Sequence, residues 1–170
     1  MTRPSSVDPE IDTPDAGRVA PPVSTPAEDA YCSIERTIAI IGDRWTLLIL
    51  REVLIFGLTR FADLTASIGI APNVLTNRLD RLTQCGVLEQ RDYRDAGSRT
   101  RQSYHPTEAG LELRVLLAAL GQWGDDFIPP ESGVSATREL QQTGQQVRLG
   151  FVTDETLLTP TDEVAFVPAV

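Results

Sequence analysis

A mainly α-helical domain with one small β-hairpin is the fold class this 170-residue sequence predicts, on three observations. Apolar residues recur at helical spacing in five separate stretches between Ser33 and Trp123. The period falls to two only between Val87 and Pro106, in "VLEQRDY" and "RQSYHP". Capping residues, glycine or proline stand at the boundaries of these stretches.

Residues 1–30 hold six prolines and almost no bulky apolar side chains. Such a segment cannot bury enough surface to offset its ordering entropy, and it is expected to be a disordered, acidic tail. The folded domain is expected over 31–130. Its first helix places Ile34, Ile38 and Ile41 on one stripe and breaks at Gly42. Asp43 is suited to cap a second helix through Trp45, Leu48, Ile49 and Val53, ending at Gly57. Thr59 is expected to cap a short third helix that buries Phe61, Leu64 and Ile68 and closes at Gly69. A fourth follows in "APNVLTNRLDRL", with Pro72 at its start, Leu75, Leu79 and Leu82 on one face, and Cys85-Gly86 at its end. The two strands come next, joined by the polar loop "RDAGSRT". Thr107 then caps a fifth helix through Leu111, Val115, Leu116, Leu120 and Trp123, which Pro129-Pro130 terminates. Residues 131–170 form an acidic extension whose runs "QQVRLGFV" and "DEVAFVPAV" suggest a small β-hairpin.

This order of elements is that of a winged helix-turn-helix, with the third and fourth helices as the helix-turn-helix pair. In such a fold the second helix of the pair enters the major groove. Projected at about 100° per residue, Leu79 and Leu82 fall within about 40° of Leu75. Asn73 and Asn77 face the opposite side, flanked by Thr76 and Arg81. Asn pairs with adenine, Arg with guanine or phosphate, and Val74 methyls suit thymine. Asn73, Val74, Thr76, Asn77 and Arg81 are therefore the candidate base contacts. The same residue types also suit a plain solvated face. The hairpin that follows carries Arg91, Arg94, Arg99 and Arg101, and with Arg60 and Arg78 these are the candidate contacts to the DNA backbone. Asp80, Asp92 and Asp95 stand against that reading.

The formal charge of −9, taken as a whole, argues against nucleic acid, but it is unevenly placed. Residues 1–30 hold two arginines and six acids, and 125–170 hold two arginines and eight acids. The stretch 31–124 holds eleven arginines and ten acids, and between Arg60 and Arg101 seven arginines stand against five acids. Lysine is absent, so every fixed cation is a guanidinium, the group suited to bidentate phosphate and guanine contacts. A GC-rich genome accounts for the same bias. No stretch approaches the roughly 18 apolar residues of a membrane span, and the N-terminus has no apolar h-region. Two cysteines make neither a disulfide scaffold nor a zinc site. A soluble, cytoplasmic protein without cofactor or metal is expected. His105, the single histidine, is expected as a strand residue, and Cys85 as packing.

The string "GDRWTLLILREVL…TRFADL…GIAPNVLTNRLDRLTQCGVLEQRDY…YHPTEAG…QWG" resembles the HxlR family of bacterial transcriptional regulators, relatives of the MarR-like proteins. The resemblance runs from about Cys32 to Gly124. It implies a homodimer bound to double-stranded operator DNA of two-fold symmetry. Family dimers usually form through the first and last helices, which assigns Ile34, Ile38, Ile41, Leu116, Leu120 and Trp123 to the interface. Arg78 matches the Arg of the family's Leu-Thr-x-Arg-Leu segment, where a phosphate or structural role fits its place beside the buried stripe. Arg101 matches the Arg three residues before the family's wing Tyr, here Tyr104. Cys32 stands where many members carry a cysteine, which in some senses oxidants or electrophiles. The sequence also departs from the family. Ala71 replaces the usual cap, a change that typically costs ~1 kcal/mol. The wing lacks the family's Pro-Pro, and Ser33 follows Cys32 in place of Pro.

The sequence thus predicts a sequence-specific DNA-binding regulator. Its alternative is a winged-helix protein-interaction module that does not bind DNA. One histidine, no glycine-rich phosphate loop and no nucleophile-and-base pattern leave no basis for an enzyme.

Overall fold

The computed structural model describes residues 29–97, 99–129, 131, 137–140, 142–154 and 157–159. The expected disordered tail falls almost entirely on residues outside these. Among the described residues, five helices and two antiparallel strand pairs follow in chain order: α1 (Ser33–Ile41), α2 (Arg44–Leu54), α3 (Phe61–Ile68), α4 (Pro72–Gln84), β1 (Leu88–Tyr93), β2 (Arg101–Pro106), α5 (Glu108–Phe127), β3 (Phe151–Asp154) and β4 (Leu157–Thr159). The fold is the expected mainly helical one with a small hairpin wing.

Local chemistry sets most of the boundaries. Asp43 caps α2 by accepting from the backbone N–H groups of Trp45 and Thr46, at 3.1 Å each. Burial opposes ionisation of this carboxyl, but the bonds from Thr46 and the charge of Arg78 outweigh it and hold Asp43 below the usual carboxylate range. Thr107 caps α5 by accepting from Gly110 N–H at 3.1 Å and donates its hydroxyl proton to the Gly86 carbonyl at 2.7 Å. A Cβ at Gly110 would lie 2.1 Å from the Val87 carbonyl oxygen, so α5 can approach the residue that leads into β1 only with glycine there. Ala71 stands at the N-cap of α4 without a side-chain bond, and Pro72 follows as the first helical residue. The turn from α3 to α4 is three residues, Gly69 to Ala71, with Ile70 buried beneath it.

Ile49, Leu50, Leu64, Leu75, Leu79, Leu82 and Leu88 form the fully buried centre, so α2, α3, α4 and the root of the wing share one core. Glu52 is buried with them. Its carboxylate accepts from Ser67 Oγ at 3.0 Å and pairs with Arg51, which ties α2 to α3. β1 and β2 pair antiparallel, with Tyr93 opposite Arg101 and Gln90 opposite Tyr104.

Two expectations are corrected here. Thr59 does not cap α3. Its carbonyl accepts from Tyr104 N–H at 2.8 Å, and Arg60 forms a bridge with Ser103. The segment is drawn into extended pairing with β2, and the helix begins at Phe61 behind an uncapped Arg60. The C-terminal extension does contain a hairpin, but β3 pairs with Leu157–Thr159. The "DEVAFVPAV" run expected as the partner lies outside the described residues.

The extension is fastened to α5. The Gln122 side chain accepts from Leu149 N–H at 2.8 Å and donates to the Leu149 carbonyl at 3.0 Å. Arg138 pairs with Asp125 at 3.0 Å, and Arg148 pairs with Asp126. Two carboxylates in the last turn of a helix oppose its dipole, and these two arginines offset that.

Candidate nucleic-acid interface

The leucine stripe of α4 fixes which side chains face outward. With Leu75, Leu79 and Leu82 fully buried, Asn73, Thr76 and Asn77 stand exposed on the opposite side. Thr76 also donates its hydroxyl to the Pro72 carbonyl at 3.0 Å. Val74 is half-buried and packs against the core, which leaves it less free to meet a base than the sequence suggested. Beside this face, α3, α4 and the wing enclose an open groove of about 550 Å³. Phe61, Thr76, Tyr93, Arg99, Arg101 and Gln102 are among the residues that line it. Aromatic rings, the Gln102 amide and two guanidinium groups thus border Thr76 in the first half of α4, an arrangement suited to a phosphate backbone and exposed base edges.

The arginines divide into two sets. Arg99 and Arg101 are exposed, and among the described residues neither is ion-paired. Arg91 pairs with Glu89 at 2.6 Å. Arg60 lies over the Tyr93 ring, 4.5 Å from its centroid, and reaches Asp95 at 3.4 Å. Arg94 is exposed at the end of β1. One expectation changes. Arg81, expected to meet a base, donates to the Ala39 carbonyl at the end of α1. Arg78, a candidate for either the DNA backbone or a structural role, makes a structural contact, donating Nε–H to Asp43 Oδ1 at 3.0 Å. Both turn inward because the rim of the leucine stripe faces the α1–α2 corner.

Elsewhere on the wing, Ser103 donates to the Arg91 carbonyl at 3.0 Å and lies 3.0 Å from His105 Nε2. Burial, then the charge of Arg91, holds His105 below its ordinary value of 6.5. Burial and then Asp80 raise the Tyr104 phenol above its ordinary value. Asp80 itself is half-buried on α4.

A second surface is formed by α1 and α5. Ile34 is 65% exposed, Ile38 58%, Leu120 51% and Trp123 58%, and Trp123 stacks at 5.5 Å on the exposed Phe127. An apolar groove of about 320 Å³ runs between the two helices. Ile41, only 4% exposed, belongs to the core and Leu116 packs partly against it, while both also line this groove. The reason is position along α1, whose C-terminal turn lies under the rest of the domain while its N-terminal turn projects. Cys32 is exposed at the N-cap of α1, and Cys85 is buried.

Sequence reasoning missed Tyr93 and Gln102. The strand register gives a signal for Tyr93, since pairing "VLEQRDY" with "RQSYHP" sets it opposite Arg101. Nothing local signals its contact with Arg60, 33 residues earlier. Among the described residues no cluster of His, Cys, Asp and Glu suits a metal ion, and no helix is long and apolar enough to cross a membrane.

Comparison with known proteins gives consistent matches. The HxlR-like helix-turn-helix family matches residues 40–132, more than half of the chain. An uncharacterized HTH-type transcriptional regulator of Mycobacterium tuberculosis is 39% identical over 101 residues, covering 59% of this chain and 62% of that protein. The chain thus spans less than two thirds of that curated relative's length. The crystal structure of PA1607, described as a candidate transcription factor, superposes with a TM-score of 0.69 at 31% identity. It covers 82% of this chain and 96% of that one. PA1374 from Pseudomonas aeruginosa, described in the same terms, gives 0.55 at 31% identity, over 81% and 92% of the two chains.

Proposed function

The chain belongs to the HxlR-like helix-turn-helix family, and from that premise we propose that it is a sequence-specific DNA-binding transcriptional regulator acting as a homodimer on a two-fold symmetric operator. The observation that carries this reading is the groove in which Thr76 of α4 meets Arg99 and Arg101 of the wing, with Asn73 and Asn77 exposed on α4 opposite its buried leucines. In this reading Asn73 and Asn77 contact base edges, while Arg99 and Arg101 hold the sugar-phosphate backbone. The exposed apolar side chains of α1 and α5 are the dimer seam in this reading, because large apolar side chains gathered on one face mark interaction surfaces.

The test compares selected and random duplexes by fluorescence anisotropy. Asn77→Ala is expected to weaken the selected site by about 1–3 kcal/mol and to relax its specificity. Arg99→Ala is expected to weaken all duplexes alike and to reduce the log–log salt slope by about 1. Equal losses on selected and random DNA for Asn77→Ala would remove the base-reading role.

Cys32 adds a redox element to the proposal. It is exposed at the start of α1, on the seam side, where oxidation would change how two subunits meet. Mild peroxide is expected to weaken operator binding, and Cys32→Ser to abolish that response. An unchanged oxidant response in the variant would exclude the role.

A further inference from the structure

Arg78 and Arg81 lie about one turn apart on α4, and both reach the corner where α1 meets α2. Arg81 donates to the carbonyl of Ala39, one of the last four of α1 and so without a partner inside that helix. No basic residue stands in the last turn of α1, so the cation that suits this helix end comes from α4. Arg78 donates to Asp43 Oδ1 at 3.0 Å, and the same carboxylate caps α2 through Trp45, Thr46 and the Thr46 hydroxyl. The corner itself has no slack. Only Gly42 and Asp43 separate α1 from α2, and a Cβ at Gly42 would lie 2.5 Å from both Ile38 Cγ2 and the Ile38 carbonyl oxygen. Ile38 is one of the exposed apolar residues of the α1–α5 surface. The helix carrying the candidate base contacts is thus tied by Arg81 to the end of the helix carrying the candidate seam, and by Arg78 to the α2 cap two residues beyond it.

We propose that Arg78 and Arg81 are positioning residues that hold α4 at a fixed offset from α1 and thereby set the half-site spacing the dimer accepts. The inference rests on the DNA-binding dimer proposed above. In a two-fold dimer the distance between recognition helices must match the separation of half-sites along the duplex. That distance is defined only if each recognition helix is rigidly referred to the seam. Neither arginine contacts DNA in this account.

The experiment uses the full chain. In vitro selection from random duplexes first defines the half-site. Anisotropy is then measured on a single half-site and on paired half-sites whose spacer is lengthened or shortened by one and two base pairs. Wild type is expected to prefer one spacer sharply. Arg81→Met is expected to lower the preference for that spacer by about fivefold or more, the range of an ordinary coupling between sites, with single half-site affinity unchanged. Arg81→Lys, which keeps a donor for the Ala39 carbonyl, is expected to restore the preference. Asp43→Asn keeps a capping oxygen for α2 but removes the charge partner of Arg78, and it carries the test if Arg81→Met does not fold. Its spacer preference is also expected to weaken. Spacer profiles identical to wild type in the folded variants would overturn the inference, as would an equal loss on the single half-site. If wild-type protein selects no sequence, the DNA-binding reading falls and this inference falls with it. A wild-type protein that selects a spaced site keeps the two failures apart.

Discussion

The face made by α3, α4 and the wing and the face made by α1 and α5 are both exposed, but they differ in what exposure costs them. The first presents Asn73, Thr76, Asn77, Arg99 and Arg101, which water solvates well. The second presents Ile34, Ile38, Leu120, Trp123 and Phe127, whose burial would be favourable by roughly 25 cal/mol per Å² of apolar surface. A polar face is stable whether or not it has a partner. An apolar one is stabilised by acquiring one. The partner of the α1–α5 face is therefore argued from physical chemistry, whereas the partner of the α4 face is argued from its arrangement and its family.

The largest expected effect separates the two sides of α4 itself. Leu79→Ala, on the buried side, is expected to lower unfolding stability by about 2–5 kcal/mol in urea titration. Asn77→Ala, on the exposed side, is expected to stay within about ±0.5 kcal/mol while losing operator affinity. A destabilised Asn77→Ala protein would erase the distinction on which the interface rests.

The next effect belongs to the apolar face. Ile34→Asp places a charge where Ile34 is 65% exposed in the single chain, so the fold is expected to persist. Dimerisation, followed by sedimentation, is expected to fail. Operator affinity is expected to fall by about 10²-fold or more through loss of the second half-site. A stable Ile34→Asp dimer would move the seam elsewhere.

The smallest effect sharpens the polar face. Asp95 pairs with Arg60, and both are about half exposed. Asp95→Asn is expected to raise affinity for any duplex by less than ~1 kcal/mol, and only at low salt. A gain confined to one sequence would show that Asp95 discriminates between bases.

The sequence made one class of feature legible and hid another. Helical period gave the buried stripe of α4, and the capping chemistry of Asp43 and Thr107 gave the starts of α2 and α5, because these signals are local. The exposed amides of α4 followed from the same projection. The direction of Arg81 did not, since its acceptor is the Ala39 carbonyl 42 residues away. Thr59 has the chemistry of a cap, yet pairing with β2 overrode it. Ile41 shares a stripe with Ile34 and Ile38, and the stripe is buried at one end and bare at the other because the domain covers only the last turn of α1. Periodicity reports which face a residue shares, not how far along the helix its cover extends.

The most direct test of the central claim is fluorescence anisotropy of the reduced, full-length protein on DNA from upstream of its own and neighbouring genes. A shuffled duplex serves as control, and both are titrated with salt. Tight binding to one region, weak binding to the control and a log–log salt slope worth several phosphates are the predicted result. Folded, dimeric protein that binds neither duplex would contradict the account and leave the α4 face and the wing as a surface for a protein partner.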